Sequence, residues 1–181
     1  HIMTIMIGGG DIYSDDHVTL SGDGARLDAD TAYLGKNSQT IDYNIVADHF
    51  GKKTESLITV NGALTDSAKK VFRGTIDFKK GSADSVGSEN ETVLMLGDDV
   101  VNKTVPLILC AEENVEGTHG ATIGELDADT MFYFESRGID RETAEKIMAY
   151  AAVERLIHMA EDGEFAAVAE KAMGIKTDTE E

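Results

Sequence analysis

The chain has few of the residues that mark several large protein classes. It has no Trp, one Pro (Pro106) and one Cys (Cys110) among 181 residues. A single Cys excludes an intramolecular disulfide framework and favours a reducing compartment, which we take to be the cytoplasm. No apolar run reaches the roughly 18 residues of a membrane-spanning helix, so we predict no membrane span.

Common catalytic motifs are also missing. The sequence has no Gly-x-Ser-x-Gly, no His-Glu-x-x-His, no Cys-x-x-Cys and no phosphate-binding Gly-x-x-x-x-Gly-Lys-Ser/Thr. We therefore predict that the chain is not an enzyme. We also predict that it does not bind ATP through a P-loop.

Acidic side chains dominate the composition, with a net charge of −18. The excess is uneven: residues 1–80 carry 11 acidic and 9 basic side chains, whereas residues 81–181 carry 23 and 7. Such a surface repels a phosphate backbone, so nucleic acid is not an expected partner.

Short runs rich in β-branched residues, separated by Gly or Asp, predict a strand-rich body. The runs are 17–20, 31–34, 40–46, 57–60, 71–78, 92–96 and 105–109. Both a sandwich of hairpins and a parallel β-helix with coils of roughly 20 residues fit them. Asn61-Gly62 fits a tight hairpin turn in the first and a bend between coils in the second.

After the strands the period becomes helical. Asp127 is a plausible N-cap for a helix to about Arg137, which Gly138 would end. Asp140 would cap a longer helix to about residue 161, and a short helix would follow over 164–173. We predict a flexible segment at 1–16, a β-helix core at 17–124, a helical subdomain at 125–175 and a disordered tail at 176–181.

The long helix carries two apolar stripes, although a helix with one buried face needs only one. The first stripe contains Ala144, Ile147, Met148, Ala151 and Met159, and the second contains Val153, Leu156, Ile157 and Ala160. The extra stripe could pack against the chain's last helix through Phe165, Val168 and Ala169, or it could dock a partner.

Two residues could bind a metal or carry sulfur. His119 lies between Gly117 and Gly120, which would leave its imidazole uncovered, although the sequence alone favours a structural role at the end of the β body. Cys110 lies in an apolar run, which favours an inert thiol in the core, although its thiolate could bind iron. Asp48 and His49 are neighbours in a strand, which predicts a solvated polar pair.

The segments around and after His119 resemble the SufB/SufD family of iron–sulfur cluster assembly proteins. They are the string His-Gly-Ala-Thr-x-Gly at 119–124 and the string Phe-Tyr-x-x-Ser-Arg-Gly-Ile at 132–139. Phe72-Arg73-Gly74 is similar to the Phe-x-Gly strand of the family. The resemblance implies a mostly β fold, a right-handed parallel β-helix followed by a small C-terminal helical subdomain.

The resemblance also implies a function. Family members pair through their β-helices and bind an ABC-type ATPase, SufC, through their C-terminal helices. Iron or an iron–sulfur cluster would be held transiently at a dimer interface, with His119 and Cys110 as candidate ligands, and no chain would hold it stably alone. The expected partners are a SufC-like ATPase and a SufB-like chain or a second copy. The residues expected to dock the ATPase are Asp127, Phe132, Tyr133, Arg137, Gly138 and Ile139.

Departures from the family pattern favour the SufD branch. Val100 stands where SufB carries a cysteine, Gly117 replaces a common cysteine, and His119 is kept. The family's N-terminal helical region has no counterpart, which implies a truncated or minimal form. Two alternatives remain: an ATPase partner without an iron role, and a β-helix carbohydrate-active enzyme, which the lack of Trp disfavours.

Overall fold

A computed structural model describes residues 1–173 and shows a flattened parallel β-helix followed by three helices. The strands are β1 (Ile2–Ile7), β2 (Ile12–Leu20), β3 (Arg26–Gly35), β4 (Thr40–His49), β5 (Glu55–Thr65), β6 (Lys69–Phe78), β7 (Ser85–Leu96), β8 (Val101–Cys110) and β9 (Val115–Gly124). The helices are α1 (Ala128–Ser136), α2 (Arg141–Met159) and α3 (Gly163–Met173). The predicted β-helix with a helical C-terminal subdomain is confirmed, and the hairpin sandwich is wrong.

Odd-numbered and even-numbered strands form separate sheets. One sheet has the order β1-β3-β5-β7-β9, the other has the order β2-β4-β6-β8, and every pairing is parallel. The chain therefore alternates between two facing sheets, and each coil adds one strand to each sheet. About four coils result.

Each coil is longer than the predicted 20 residues. Ile2 pairs with Ala29 and Lys69 pairs with Val101, so one coil takes 27 to 32 residues. The reason is that most coils consist of two long strands, of nine to twelve residues each, rather than of several short ones.

The N-terminal segment is also more ordered than predicted. Residues 1–16, predicted to be flexible, contain β1 and the first half of β2, which pair in parallel with β3 and β4. Alternating apolar residues explain the strand: Met6 is buried in the interior, while Ile5 and Ile7 pack on the opposite side against the helices.

Asn61-Gly62 forms neither a hairpin turn nor a bend, and lies inside β5. The ring of Tyr33 in the preceding coil covers Gly62, where a Cβ atom would lie 2.5 Å from the ring. The glycine is therefore needed for close packing between coils and not for a turn.

The interior between the sheets is filled by alternating side chains of both. Its core includes Tyr43, Ile45, Ile58, Phe72 and Ile76, each at most 3 % exposed. Tyr43 and Phe72 stack in successive coils, with ring centroids 5.6 Å apart. Burial of this kind stabilises a solenoid because each coil covers the apolar face of the last.

Both predicted helix caps are confirmed. The Asp127 carboxylate accepts from Thr130 N–H at 2.7 Å, and the Asp140 carboxylate accepts from Thr143 N–H at 2.8 Å. Gly138 adopts a φ of +77° after α1, the left-handed conformation that glycine tolerates at a helix end. The predicted tail at 176–181 lies outside the described residues.

A second core joins α2 and α3 to the outer face of the five-stranded sheet. Val153, Leu156 and Ile157 of the second stripe are buried there, together with Ala169 and Met173 of α3. Most of the first stripe remains accessible, with Ile147 and Met159 more than 40 % exposed. Val168, predicted to pack against α2, is also exposed.

Among residues 1–173, no helix has both the length and the apolar character needed to cross a membrane.

Candidate functional site at the last coil

The last coil, formed by β8 and β9, is the coil on which none of the described residues stacks further. In residues 1–173, β8 pairs only with β6, and β9 pairs only with β7. Both sheets therefore end at the same end of the β-helix, and each presents a free strand edge there. The two metal-ligand candidates, His119 and Cys110, belong to these two strands.

Register places both candidates on the interior side of the coil. His119 pairs with Glu89, and Cys110 pairs with Phe78; Glu89 and Phe78 are both buried in the interior. Because no further coil covers them within residues 1–173, Cys110 is exposed and the His119 side chain keeps 26 % of its accessible area. The predicted core thiol at Cys110 is therefore wrong.

His119 contacts a buried carboxylate. Its Nδ1 lies 3.3 Å from Oε1 of Glu89, which is 2 % exposed. Among the residues that the structure describes, Glu89 Oε1 has no hydrogen-bond partner, so this contact has the distance of an ion pair without the geometry of a hydrogen bond. Burial raises the pKa of Glu89 to about 7; the charge of Glu91 adds to the rise and Lys70 opposes it.

Glu91 lies two residues after Glu89 on β7, and both of its carboxylate oxygens have other partners. Its Oε1 accepts from Lys70 Nζ and its Oε2 accepts from Thr104 Oγ1, and both charged side chains are at most 1 % exposed. Burial lowers the pKa of Lys70, while Glu91 opposes that shift. The pair thus carries two opposite charges into the interior beneath the last coil.

Two further buried polar atoms accompany this pair. The Tyr33 hydroxyl and Asn102 Oδ1 lack hydrogen-bond partners within the described part of the chain. Lys70 Nζ lies 5.6 Å from the centre of the Tyr33 ring, and Asn102 pairs in register with Lys70. The interior is therefore polar next to the last coil.

Gly74 makes room for Glu89. A Cβ atom at Gly74 would clash with the Glu89 carboxylate, which lies directly against the Gly74 backbone. The Phe72-Arg73-Gly74 string is thus explained by close approach within β6, and Gly74 is not at a turn. Glycine is the residue that permits such an approach.

Sequence reasoning missed Glu89, Glu91, Lys70 and Gly74. The available signal was the alternation of residues 85–93, in which Ser85, Gly87, Glu89, Glu91 and Val93 share one face of β7. Charged residues at alternate positions normally indicate a solvated face. Only the folded structure, in which Glu89 and Glu91 are buried, shows that this face points inward.

His49 corrects another prediction. It is fully buried rather than solvated; Nδ1 lies 2.7 Å from Thr54 Oγ1 and Nε2 lies 2.9 Å from Ser56 Oγ. Both ring nitrogens are therefore engaged in structural contacts, and burial lowers the pKa of His49. Among the residues described, no three His, Cys, Asp or Glu side chains gather as a metal site would require.

The predicted docking residues lie in α1 and at its two ends. Phe132 and Tyr133 are 73 % and 54 % exposed, and the Arg137 guanidinium lies 4.5 Å from the centre of the Tyr133 ring. Asp127 caps the helix, Gly138 ends it, and Ile139 is half-buried beyond it. The exposed aromatic side chains make α1 a chemically plausible contact surface.

Similarity to known proteins agrees with this geometry. Residues 1–152 match the family described as SUF system FeS cluster assembly, SufBD core domain. The chain is 33 % identical over 141 residues to the iron-sulfur cluster assembly protein SufD of Bacillus subtilis, which covers 78 % of this chain and 32 % of that protein. It is 23 % identical over 159 residues to SufD of Escherichia coli, covering 88 % of this chain and 38 % of that protein.

A plant protein is also similar to this chain. The chain is 26 % identical over 159 residues to the chloroplastic iron-sulfur cluster assembly SufBD family protein ABCI8 of Arabidopsis thaliana, covering 88 % of this chain and 28 % of that protein. The chain thus spans about a third of the length of these relatives. The family match covers residues 1–152, which contain all the strands of the parallel β-helix. Together with the named relatives, it shows that the chain belongs to the SufB/SufD family and is closer to SufD.

Proposed function

We propose that this chain is a SufD-like, non-enzymatic component of iron–sulfur cluster assembly in the cytoplasm. It pairs through its β-helix and docks an ABC-type, SufC-like ATPase through its C-terminal helices. The observation that carries the proposal is the open last coil, which presents His119 at the end where both sheets have free edges. The family membership and the names of the relatives support the same role.

The edge strands support pairing with another chain. Unpaired N–H and C=O groups on β8 and β9 can accept a further strand, as open sheet edges do. On the outer face of β8, Val105, Leu107 and Leu109 are 51 %, 46 % and 42 % exposed. Such a row of apolar side chains beside a free edge favours burial against a second copy or a SufB-like partner.

Iron or a cluster would be the cargo of this pair. Thiolate and imidazole are ligands that iron accepts in such clusters, and a cluster commonly needs four of them. One chain offers the exposed Cys110 and the partly exposed His119 in its last coil. Pairing at this end doubles that set or adds cysteines from the partner, so the cargo would sit between two chains.

The accessible side of the helical subdomain supports ATPase docking. Phe132, Tyr133 and the exposed part of the first α2 stripe, Ile147 and Met159, are apolar and uncovered. Beside α2, an apolar groove of about 320 Å³ runs along the five-stranded sheet and includes Met148 and Met159 in its lining. Exposed aromatic and methionine side chains are typical anchors of protein interfaces.

Anaerobic incubation with ferrous iron and sulfide, followed by desalting, tests the role of His119. We expect iron retained by the unmodified chain to be lost in His119→Ala and kept in His158→Ala. His158 is the matched control because it is an exposed histidine of α2, 3.5 Å from Glu154. Iron retained in full by His119→Ala would contradict the proposed ligand.

Size-exclusion chromatography with light scattering, on mixtures with a SufC-type ATPase, tests docking. We expect a complex that Phe132→Ala/Tyr133→Ala abolishes and Tyr13→Ala preserves, because Tyr13 is equally exposed on the outer face of the four-stranded sheet. A complex without any iron uptake would favour the alternative of an ATPase partner with no iron role. No complex at all would contradict the docking proposal.

A further inference from the structure

Glu89 has no structural partner that explains its burial. Buried carboxylates are normally paired or fully hydrogen-bonded. Glu91 follows that rule, because Lys70 and Thr104 occupy both of its oxygens. Glu89 is equally buried, yet within residues 1–173 its Oε1 lacks a hydrogen-bond partner, and the imidazole of His119 lies 3.3 Å away.

The surrounding backbone keeps the Glu89 carboxylate in place. Gly74 lies against it so closely that no side chain fits there. Glu89 and His119 occupy the same position in successive coils, because the two residues pair in register on β7 and β9. Two rigid strands therefore hold the carboxylate beneath the imidazole.

We propose that Glu89 is a positioning residue for His119: its carboxylate accepts a hydrogen bond from Nδ1–H and leaves Nε2 as the unprotonated nitrogen. Glu89 lies one coil below the imidazole and contacts Nδ1, so Nε2 is the ring nitrogen that this contact leaves free. The contact closes to a hydrogen bond when Nδ1 carries the proton. A histidine that binds a metal commonly donates its other N–H to a carboxylate, which orients the ring and raises its basicity.

The role of the Glu89–His119 contact in metal binding rests on the proposed function, whereas the contact itself does not depend on that function. The tautomer of His119 is a property of the metal-free chain. Nitrogen-detected NMR of the imidazole reports it directly, because the protonated and free ring nitrogens have different shifts. We would record it at pH 8, where an ordinary imidazole is neutral and its two tautomers can be distinguished.

We expect Nδ1 to be protonated in the unmodified chain. Glu89→Leu removes the acceptor and should shift the population towards the Nε2–H tautomer, while Glu89→Gln keeps an acceptor oxygen and should retain Nδ1–H. Glu116→Gln is the control, because it removes an exposed carboxylate from the same strand as His119. An Nε2–H tautomer in the unmodified chain, or no response to Glu89→Leu, would overturn the proposal.

A titration with Co²⁺, monitored by its visible absorption, separates the two levels of inference. We expect binding to weaken about 10- to 100-fold in Glu89→Leu, less in Glu89→Gln, and to disappear in His119→Ala. If the tautomer responds to Glu89 but His119→Ala binds Co²⁺ as well as the unmodified chain, the positioning stands and the proposed ligand role of His119 fails. If Glu89→Leu binds Co²⁺ with unchanged affinity while His119→Ala does not, the ligand stands and the positioning is overturned.

Discussion

The inner coils and the last coil of this β-helix share one backbone arrangement but differ in what they enclose. Along one interior column, Ala29 and Ile58 are followed by Glu89 and then His119. Along the facing column, Ile41 is followed by Lys70. These two columns thus change from apolar to charged towards the last coil, which locates the costly side chains beside the candidate site.

This difference teaches how a solenoid can separate stability from function. The inner coils bury apolar side chains against one another, which stabilises the fold without any specific chemistry. The last coil covers an ion pair and an unpaired carboxylate, each of which costs desolvation free energy. Natural proteins keep such groups mainly where they act, and four experiments test whether the contrast is real.

Breaking the buried ion pair should have the largest effect. Lys70→Met leaves Glu91 charged in the interior, so we expect the free energy of unfolding to fall by about 3–5 kcal/mol. The double variant Lys70→Met/Glu91→Leu should recover most of this loss, because it removes both charges. Urea denaturation measures both, and equal stability of the single and double variants would contradict a desolvated pair.

Adding a side chain at Gly74 should have the second-largest effect on stability. Gly74→Ala would push a methyl group into the Glu89 carboxylate and should cost about 3 kcal/mol, the upper end for overpacking. Gly120→Ala, in the last coil, would meet only the end of the Asn90 side chain, at 3.1 Å, and should cost much less. Equal losses in urea denaturation would show that the inner coils are no more tightly packed than the last.

Neutralising Glu89 should stabilise the fold at high pH. The pKa of Glu89 is raised from 4.5 to about 7 in the folded chain, so folding is penalised once the carboxyl ionises. The penalty is absent below about pH 4.5, grows as pH rises through about 7, and is complete above it. We expect Glu89→Gln to gain about 2 kcal/mol over the unmodified chain at pH 8.5 and nothing at pH 4. A gain that does not depend on pH would refute this cause.

Removing a helix cap should have the smallest effect, because it affects neither interior. Asp127→Ala loses the carboxylate that accepts from Thr130 N–H, which should cost about 1 kcal/mol. Hydrogen exchange of the α1 amides should report the loss, while amides of β4 and β6 keep their protection. Loss of protection in the strands as well would show that the helical subdomain and the β-helix unfold together.

Several features could be predicted from local sequence alone. Asp127, Asp140 and Gly138 mark helix ends because capping and left-handed backbone depend on the residue at one position. The run over 71–78, which is rich in β-branched residues, predicts a strand for a similar reason. Stacked parallel coils were implied by the resemblance around His119, since the strand pattern was equally compatible with hairpins.

Other features needed the register between strands that are 27 to 32 residues apart. Glycine at 62 has the same local signature whether it turns the chain or lies beneath the Tyr33 ring. Alternating glutamates at 89 and 91 have the same pattern whether they face water or the interior. A long-range pairing decided each case, because it sets which face of a strand is enclosed.

The sequence by itself determined the strands from β2 to β8, the helices that follow, the acidic composition and the presence of His119 next to glycines. Tertiary structure alone decided that this imidazole lies at an uncovered end, above a buried carboxylate on another strand. The physical reason is that local conformation follows from neighbouring residues, whereas burial and charge pairing arise only when distant strands stack.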